Sequence, residues 1–209
     1  LKAAGKLRSS NVFAGNSLCV LARPGMTIAT DTLVDTLLSP DVVVGTSTPG
    51  ADPSGDYAWQ MFQKIGAQRA GAFEQLDRKA RKLTGGEINN GGENTAPYAR
   101  LLMERKADVF VTYCTNALAA RAAVPALTWV TVPPAFNVAA AYAIGLAAEA
   151  PESAREFVRY VLSQRAQKVT ARFGFSPPVA GCVDVEPMLK AAHAAWLGKA
   201  DAVDASPSA

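Results

Sequence analysis

The chain contains a single histidine, His193, among its 209 residues. Sites that hold a metal through several histidines are therefore excluded, and a catalytic triad would have to use this one residue, which has the character of a surface position on a C-terminal helix. Three cysteines, Cys19, Cys114 and Cys182, occur without a CxxC or CxxxC spacing. The absence of these spacings argues against a zinc site or a disulfide framework and leaves one disulfide possible.

Long apolar runs and clusters of one charge are also missing. No stretch approaches 18 apolar residues, so the sequence predicts no membrane span. The 21 basic and 18 acidic side chains leave a net charge of +3, and no group of Lys or Arg interleaved with aromatics indicates nucleic-acid binding. The chain is instead rich in apolar residues, at 49%, which is enough to form the core of one large domain or two small ones.

The stretch from Val42 to Phe62 predicts a strand, a loop and a helix. An apolar β-branched run gives way to hydroxyl, proline and glycine residues, after which apolar residues recur at helical spacing. Pro53 and Ser54 stand where the helix begins, so free N–H groups, the positive helix end and the Ser54 hydroxyl would converge on one spot that attracts an anion. An ordinary βα connection capped by Ser54 would give the same pattern.

A long loop leads to a second helix start. Residues 84–95 contain four glycines and no hydrophobic periodicity. Loops of this length without secondary structure are usually functional or mobile. We expect Asn94 or Thr95 to cap the following helix and Pro97 to lie in its first turn.

A buried strand over residues 107–113 leads to a third helix start. It ends at Tyr113, and Thr115 or Asn116 would cap the helix that follows. Because ligands in open α/β sheets sit beyond the carboxyl ends of strands, the three junctions at Ser54, Thr95 and Tyr113 become candidates for one pocket.

Strands alternate with helices along the whole chain, which is typical of an α/β fold. The remaining patterns predict strands over residues 17–21, 129–132 and 138–146, and helices over residues 30–38 and 73–83 and from Pro151 onward. A last short helix is expected over residues 188–197.

Five short stretches carry a family resemblance when they are taken together and in order. They are residues 45–49 (GTSTP), 52–58 (DPSGDYA), 113–117 (YCTNA), 157–162 (FVRYVL) and 172–177 (RFGFSP). In this combination the chain resembles the periplasmic molybdate-binding proteins of ABC importers, over roughly residues 1–180. The several motifs in the right order are more specific than any one of them.

The resemblance implies a two-lobed periplasmic-binding-protein fold of type II, an α/β fold with mixed sheets flanked by helices. It implies a first lobe from residues 1–21 and 139–209 and a second lobe from residues 22–138. In the family a first strand and helix supply two serine donors, and residues 1–21 show no counterpart. We therefore expect the first lobe to be incomplete and the 209 residues to hold half a site.

In the resembling family, two lobes close on a tetrahedral oxyanion that is held by neutral donors. Carried over to this sequence, the helix-start donor is Ser54, the backbone donor of the second lobe is Thr95 and the tyrosine hydroxyl is Tyr113. Ser54 and Thr95 carry hydroxyls where the family often has small or aliphatic residues, so the choice among molybdate, tungstate and other oxyanions stays open. The expected supporting residues are Pro53, Gly55, Asn94, Thr115 and Asn116.

The implied role is that of a periplasmic solute-binding protein that delivers its ligand to a membrane permease, without a cofactor, a resident metal or an enzymatic activity. A protein of the same fold for another anion or an organic solute is an alternative, and a hydrolase is a second. A hydrolase would use a pocket serine with Asp52, Asp56 or Glu93. We interpret these carboxylates as caps and loop residues, because they would repel an anion that they faced.

Overall fold

The computed structural model describes residues 4–86 and 96–178, which divide into two compact units. The larger unit consists of the described part of Asn16–Ala140 together with Val169–Ser176. The smaller unit contains residues 4–15, 141–168 and 177–178. No helix in these described ranges combines the length and the apolar character that crossing a membrane requires.

Strands and helices alternate along the described chain, as the sequence predicts. The strands are β1 (Leu7–Asn16), β2 (Leu18–Ala22), β3 (Val44–Ser47), β4 (Arg81–Thr84), β5 (Val109–Tyr113), β6 (Thr128–Thr131) and β7 (Ala140–Ala147). The helices are α1 (Leu33–Leu38), α2 (Pro53–Gln68), α3 (Ala72–Lys79), α4 (Pro97–Met103), α5 (Cys114–Ala123), α6 (Glu152–Val161) and α7 (Gln164–Arg172).

Five strands form one sheet in the larger unit, in the order β4-β3-β5-β2-β6. Strand β3 runs parallel to β4 and β5, whereas β2 runs antiparallel to both β5 and β6. The register places Leu18 opposite Tyr113 and Cys19 opposite Thr112. The carboxyl ends of β3, β4 and β5 therefore share one edge, which is where ligands sit in open α/β sheets.

Strand β2 is buried on both faces of this sheet, and all five of its residues are inaccessible to solvent. Successive side chains of a strand point to opposite faces. Leu18 and Val20 pack in the cluster that α1, α2 and α3 form, and Cys19 and Leu21 pack in the cluster of α4 and α5. Each such leucine or valine contributes about 1.5–3 kcal/mol through its burial. Helices on both faces explain why the strand is apolar throughout rather than alternating.

The smaller unit contains the two-stranded sheet of β1 and β7. The Gln167 side chain donates a hydrogen bond to the Phe13 carbonyl at 2.8 Å, which ties the first turns of α7 to β1. The sequence predicts an apolar face on the helix after Pro151, and two residues of that face are exposed, Phe157 within α6 and Leu162 at its C-cap. The predicted strand over residues 138–146 corresponds to β7.

The helix predicted over residues 73–83 is too long. Helix α3 ends at Lys79, and Arg81–Thr84 forms strand β4 at the edge of the five-stranded sheet. An edge strand pairs on one side only and tolerates exposed charged side chains, such as those of Arg81 and Lys82. This composition has no strand-like alternation, and the charges favoured the helix prediction.

The strand predicted over residues 17–21 is present, but its predicted place in the first lobe is wrong. The structure places it as β2 in the sheet of the larger unit, between β5 and β6. Its partners lie far away in the sequence, so local pattern shows that the strand is buried without showing which sheet it joins. The predicted division into two lobes otherwise stays a prediction.

Candidate functional site

Helix α2 begins directly after the loop that leaves the carboxyl end of β3. Asp52 is its N-cap, and the Asp52 carboxylate accepts a hydrogen bond from the Ser54 N–H at 2.9 Å. Pro53 lies in the first turn, where a backbone N–H would have no acceptor within the helix. Its missing N–H therefore costs no hydrogen bond. The sequence offered Ser54 as the cap of this helix. The structure gives that role to Asp52, whose carboxylate also lies 3.0 Å from the Ser54 Oγ.

The Ser54 hydroxyl belongs to a group of five that we call the hydroxyl cluster: Ser47, Ser54, Thr84, Tyr98 and Thr112. The Ser54 Oγ donates to the Ser47 Oγ at 2.8 Å, and the Ser47 Oγ lies 2.7 Å from the Thr84 Oγ1. Ser47 and Thr84 are the last residues of β3 and β4, and Thr112 precedes the last residue of β5. The cluster therefore lies at the shared carboxyl edge of the three parallel strands.

Tyr98, in the first turns of α4, places its hydroxyl among those of the cluster. It is hydrogen-bonded with the hydroxyls of Thr112, Ser47 and Ser54, and its ring packs edge-on against Phe110 at a centroid distance of 5.0 Å. Burial raises the pKa of the Tyr98 phenol, and the Asp52 charge adds to this effect, while the three hydroxyl contacts lower the pKa by less. The phenol is therefore protonated at neutral pH and retains its donor hydrogen.

The Asn116 amide connects α5 to the hydroxyl cluster. Its Nδ2 donates to the Tyr98 hydroxyl at 3.1 Å and to the Thr112 Oγ1 at 2.9 Å. The sequence predicts Thr115 or Asn116 as the cap of α5, and this is wrong, because the helix begins at Cys114 with Tyr113 as its N-cap. The Asn116 side chain is instead directed back to the end of β5.

Thr115, the other expected cap, accepts a hydrogen bond from the Asn16 amide. The Asn16 Nδ2 lies 2.9 Å from the Thr115 Oγ1, and Asn16 is only 3% exposed. Asn16 precedes β2 in the chain, so the bond joins the start of α5 to a residue 99 positions earlier. A buried amide pairs in this way because an unsatisfied polar group would be costly.

Tyr113, the expected tyrosine donor, is the last residue of β5 and is half-buried. Its ring stands edge-on to that of Tyr57, at a centroid distance of 5.9 Å. Tyr57 lies one turn after Ser54 on α2, so the structure brings the end of β5 next to the first turns of this helix. The convergence of these two junctions agrees with the sequence expectation, and the role of the Tyr113 hydroxyl stays a prediction.

A disulfide joins Cys19 of β2 to Cys114, the residue after Tyr113. The Cys114 N–H also donates to the Ser17 carbonyl at 2.9 Å. Both bonds fix the first residue of α5 against the amino-terminal end of β2. Of the pairings that the sequence left open, the structure shows this one, and Cys182 lies outside the described residues.

Gly55 has a packing role at the start of α2. A Cβ atom at this position would lie 2.7 Å from the Ser47 carbonyl oxygen and 2.8 Å from the Pro49 nitrogen. Only glycine allows the helix to approach the backbone of the preceding loop so closely. Gly55 thus fixes the distance between the helix start and the end of β3, where Ser47 lies.

The carboxylates near the site cap backbone groups. Asp52 accepts from the Ser54 N–H, and Asp56 accepts from the Gly50 N–H at 2.7 Å. These bonds agree with the interpretation of both residues as caps and loop residues. Within residues 4–86 and 96–178, no three His, Cys, Asp or Glu side chains are grouped as metal ligands would be.

Several expected residues lie outside the described residues, namely Glu93, Asn94, Thr95, His193 and the helix over residues 188–197. The sequence analysis missed four members of the hydroxyl cluster: Ser47, Thr84, Tyr98 and Thr112. One available signal was a Ser or Thr at or next to the carboxyl end of three successive parallel strands. The helical spacing of Tyr98 with Leu101 and Leu102 predicts only an apolar packing role for Tyr98, which is correct for its ring and misses its hydroxyl.

The partners in this site are hydroxyls, one amide and one carboxylate. The hydroxyls and the amide both donate and accept hydrogen bonds, and the carboxylate accepts them. The arrangement suits recognition of a polar solute by hydrogen bonding.

The chain belongs to a family of bacterial extracellular solute-binding proteins, whose model matches residues 1–176. It is therefore a solute-binding protein. It is also 31% identical over 169 residues to PM1146 of Pasteurella multocida, a protein described as uncharacterized, and this match covers 79% of the chain and 68% of PM1146.

Solved structures of solute-binding proteins share the fold at low sequence identity. The sulfate-binding protein SubI of Mycobacterium tuberculosis has a TM-score of 0.64 and 20% identity, and the match covers 85% of this chain and 64% of SubI. The periplasmic molybdate-binding protein of Azotobacter vinelandii has a TM-score of 0.60 and 14% identity, with coverages of 85% and 72%. PEB3 with bound L-phospholactate, a Campylobacter jejuni protein, has a TM-score of 0.62 and 12% identity, with coverages of 85% and 73%. The predicted α/β fold of periplasmic binding proteins is confirmed.

Proposed function

We propose that the protein is the extracytoplasmic solute-binding component of an ABC importer and that it binds a tetrahedral oxyanion, molybdate or tungstate. The observation that carries the proposal is the hydroxyl cluster at the carboxyl edge of β3, β4 and β5. A tetrahedral oxyanion presents only acceptors, so its site has to present donors. Hydroxyl, amide and backbone N–H groups at this edge supply donors without a counter-charge.

Neutral donors are a physically sound choice for such an anion. Burying a charged partner would add its own desolvation penalty to that of the ligand. Each hydrogen bond to a charged group contributes about 1.5–3 kcal/mol, so a handful of them gives tight binding. The proposed donors are Ser54, Thr95 and Tyr113, and the proposed supporting residues are Pro53, Gly55, Asn94, Thr115 and Asn116.

The printed names of the structural relatives support an acidic ligand. They name molybdate, sulfate and L-phospholactate, all of which carry an oxyanion group. L-phospholactate is an organic anion, which favours a small organic acid as the second candidate ligand. The chemistry that recognises its phosphate is the same as for the inorganic anions.

The Cys19–Cys114 disulfide supports a location outside the cytoplasm, because disulfides form and persist in oxidising compartments such as the periplasm. A periplasmic solute-binding protein delivers its ligand to a membrane permease. We therefore propose the permease of an ABC importer as the partner.

Thermal unfolding with a panel of anions tests the proposed function. Molybdate and tungstate should raise the unfolding temperature more than sulfate or phosphate at equal concentration, because a ligand that binds only the folded state stabilises it. Calorimetry on the responding anions then gives the affinities. No response to either molybdate or tungstate, together with a clear response to an organic solute, would contradict the proposal.

The Asp52→Asn variant should be measured with the same panel of anions. Asparagine caps helices as well as aspartate does, so α2 should stay intact while one negative charge beside the hydroxyl cluster disappears. For an anionic ligand the affinity should rise, by about 1 kcal/mol or more. A neutral solute would show no change, and a cationic solute would bind more weakly.

Tyr113→Phe tests the tyrosine donor that the family resemblance implies. The ring would keep its packing against Tyr57 and lose only the hydroxyl. Molybdate affinity should fall by about 1–3 kcal/mol, while the stability of the ligand-free protein should hardly change. An unchanged affinity in calorimetry would show that Tyr113 serves only in packing.

A further inference from the structure

We infer that residues 188–197, which lie outside the described residues, form an amphipathic helix that packs against helix α6 of the smaller unit. The inference concerns residues outside the hydroxyl cluster and is independent of the ligand. Three observations carry it: a largely exposed apolar stripe on α6, a matching apolar stripe in the sequence of residues 188–197, and the length of chain that leads to this segment.

Helix α6 leaves its apolar side uncovered. None of its ten residues is buried, and Phe157, in the middle of the apolar side, is 59% exposed. Charged side chains occupy the opposite side, where Arg155 and Arg159 pair with Glu152. Such a helix derives most of its stability from packing of its apolar side. The positions that we call the α6 stripe recur at helical spacing, and they are Ala154, Phe157, Val158 and Val161.

Residues 188–197 carry a stripe of the same kind. Eight of these ten residues are apolar. On a helical projection, Lys190 and His193 share one side of the segment, and His193 would thus keep the surface position that the sequence predicts for it. The side opposite these two residues is apolar throughout and consists of Met188, Leu189, Ala192, Ala195 and Trp196.

The chain before this segment has the length that the contact requires. After α7 the described chain returns to the smaller unit at residues 177–178, and α6 belongs to the same unit. The nine residues 179–187 then lead to residue 188, and they can span up to about 30 Å. A helix of ten residues such as α6 is only about 15 Å long. Residues 188–197 can therefore lie along the whole α6 stripe.

The two stripes are complementary in the size of their side chains. Trp196 and Phe157 are the largest members, and aromatic pairs contribute more than the area that they bury. Ala192 and Ala195 are small, so the axes of the two helices can approach closely beside them. The family model gives no counterpart for this segment, because its match ends at residue 176. The contact is therefore inferred from this chain alone.

Acrylamide quenching of the Trp196 fluorescence tests the inference in the 209-residue protein. The Trp196 signal is the difference between each protein and the same protein with Trp196→Phe, because Trp59 and Trp129 contribute to both. Trp196 should be shielded from acrylamide in the wild type. Phe157→Asp places a charge in the α6 stripe, so Trp196 should become accessible and its emission should shift to longer wavelength. Met103→Asp is the matched control, because Met103 is 53% exposed on α4, and it should leave both signals unchanged.

A double-mutant cycle measures the same contact through stability. Phe157→Ala and Trp196→Ala should each lower the urea midpoint, and together they should lower it by less than the sum, because residues in contact are coupled. Met103→Ala and Trp196→Ala should be additive. The alanine variants also decide the question if Phe157→Asp does not fold.

Three results would overturn the inference. The first is a Trp196 in the wild type that is as accessible to acrylamide as in the Phe157→Asp variant. The second is additivity of Phe157→Ala and Trp196→Ala. The third is a dimer in sedimentation that Phe157→Asp dissociates without a change in Trp196 quenching, which would assign the α6 stripe to a second copy of the chain. None of these results bears on oxyanion binding, so the proposed function is tested separately.

Discussion

Replacing Cys19 and Cys114 together by alanine should lower the free energy of unfolding by about 2–5 kcal/mol. The disulfide joins residues 95 positions apart, so it removes much conformational freedom from the unfolded chain. It also lies in a buried part of the sheet, where Cys19 is fully inaccessible. Urea titrations of the wild type and the double variant, without reductant, measure the difference.

Reductant supplies the control for this prediction. The wild type should lose stability in dithiothreitol, and the Cys19→Ala/Cys114→Ala variant should not respond. Cys182→Ala should respond to the reductant as the wild type does. If Cys182→Ala abolished the response instead, the pairing of Cys19 with Cys114 would be contradicted.

Gly55→Ala should destabilise the protein by about 1–3 kcal/mol, because the new methyl group would overlap the backbone of the β3–α2 loop. In an exposed helix interior the same change would stabilise by about 0.5–1 kcal/mol, so the sign of the effect is informative. Molybdate affinity should fall as well, because the start of α2 has to move away from Ser47. Urea titration and calorimetry measure the two effects.

Gln60→Ala is the matched control for Gly55→Ala. Gln60 lies on the same helix and is exposed, so alanine there should change neither the stability by more than about 0.5 kcal/mol nor the affinity for molybdate. A Gly55→Ala variant as stable as the wild type would show that the helix start shifts freely and that the close approach is not required.

Local patterns were sufficient to predict the elements that carry the site. The apolar run before Gly45, the turn residues after it and the helical spacing after Pro53 predicted a strand followed by α2, and residues 107–113 predicted β5. The first strand lies later than predicted, because β3 spans Val44–Ser47 and so includes hydroxyl residues that the pattern had placed in the loop. The two strands are buried and apolar and the helix is strongly periodic, and the Pro and Gly residues of the intervening loop mark the boundary between β3 and α2. Strand β4 was not predicted, because an edge strand with charged residues lacks those signals.

The hydroxyl cluster could not be predicted in the same way. Ser47, Thr84, Tyr98 and Thr112 come from four separate elements, and each is an unremarkable residue within its own segment. Only the sheet order brings the ends of β3, β4 and β5 together, and only α4 adds the Tyr98 hydroxyl. The family resemblance drew attention to Ser54 and Tyr113. It could not reveal the contacts that bury Ser54 and leave Tyr113 half-buried.

The position of β2 also affects how the chain folds during synthesis. Its five residues emerge early, but its partner β5 follows about 90 residues later and its partner β6 about 110 residues later. At about 5–20 residues per second, the ribosome needs several seconds or more to synthesise the residues between β2 and its partner strands. Throughout this time a wholly apolar segment with unpaired backbone groups is exposed to other nascent chains. Strand β2 therefore stays unpaired until its two neighbours have been made, and the sheet becomes cooperative only when most of the larger unit is present.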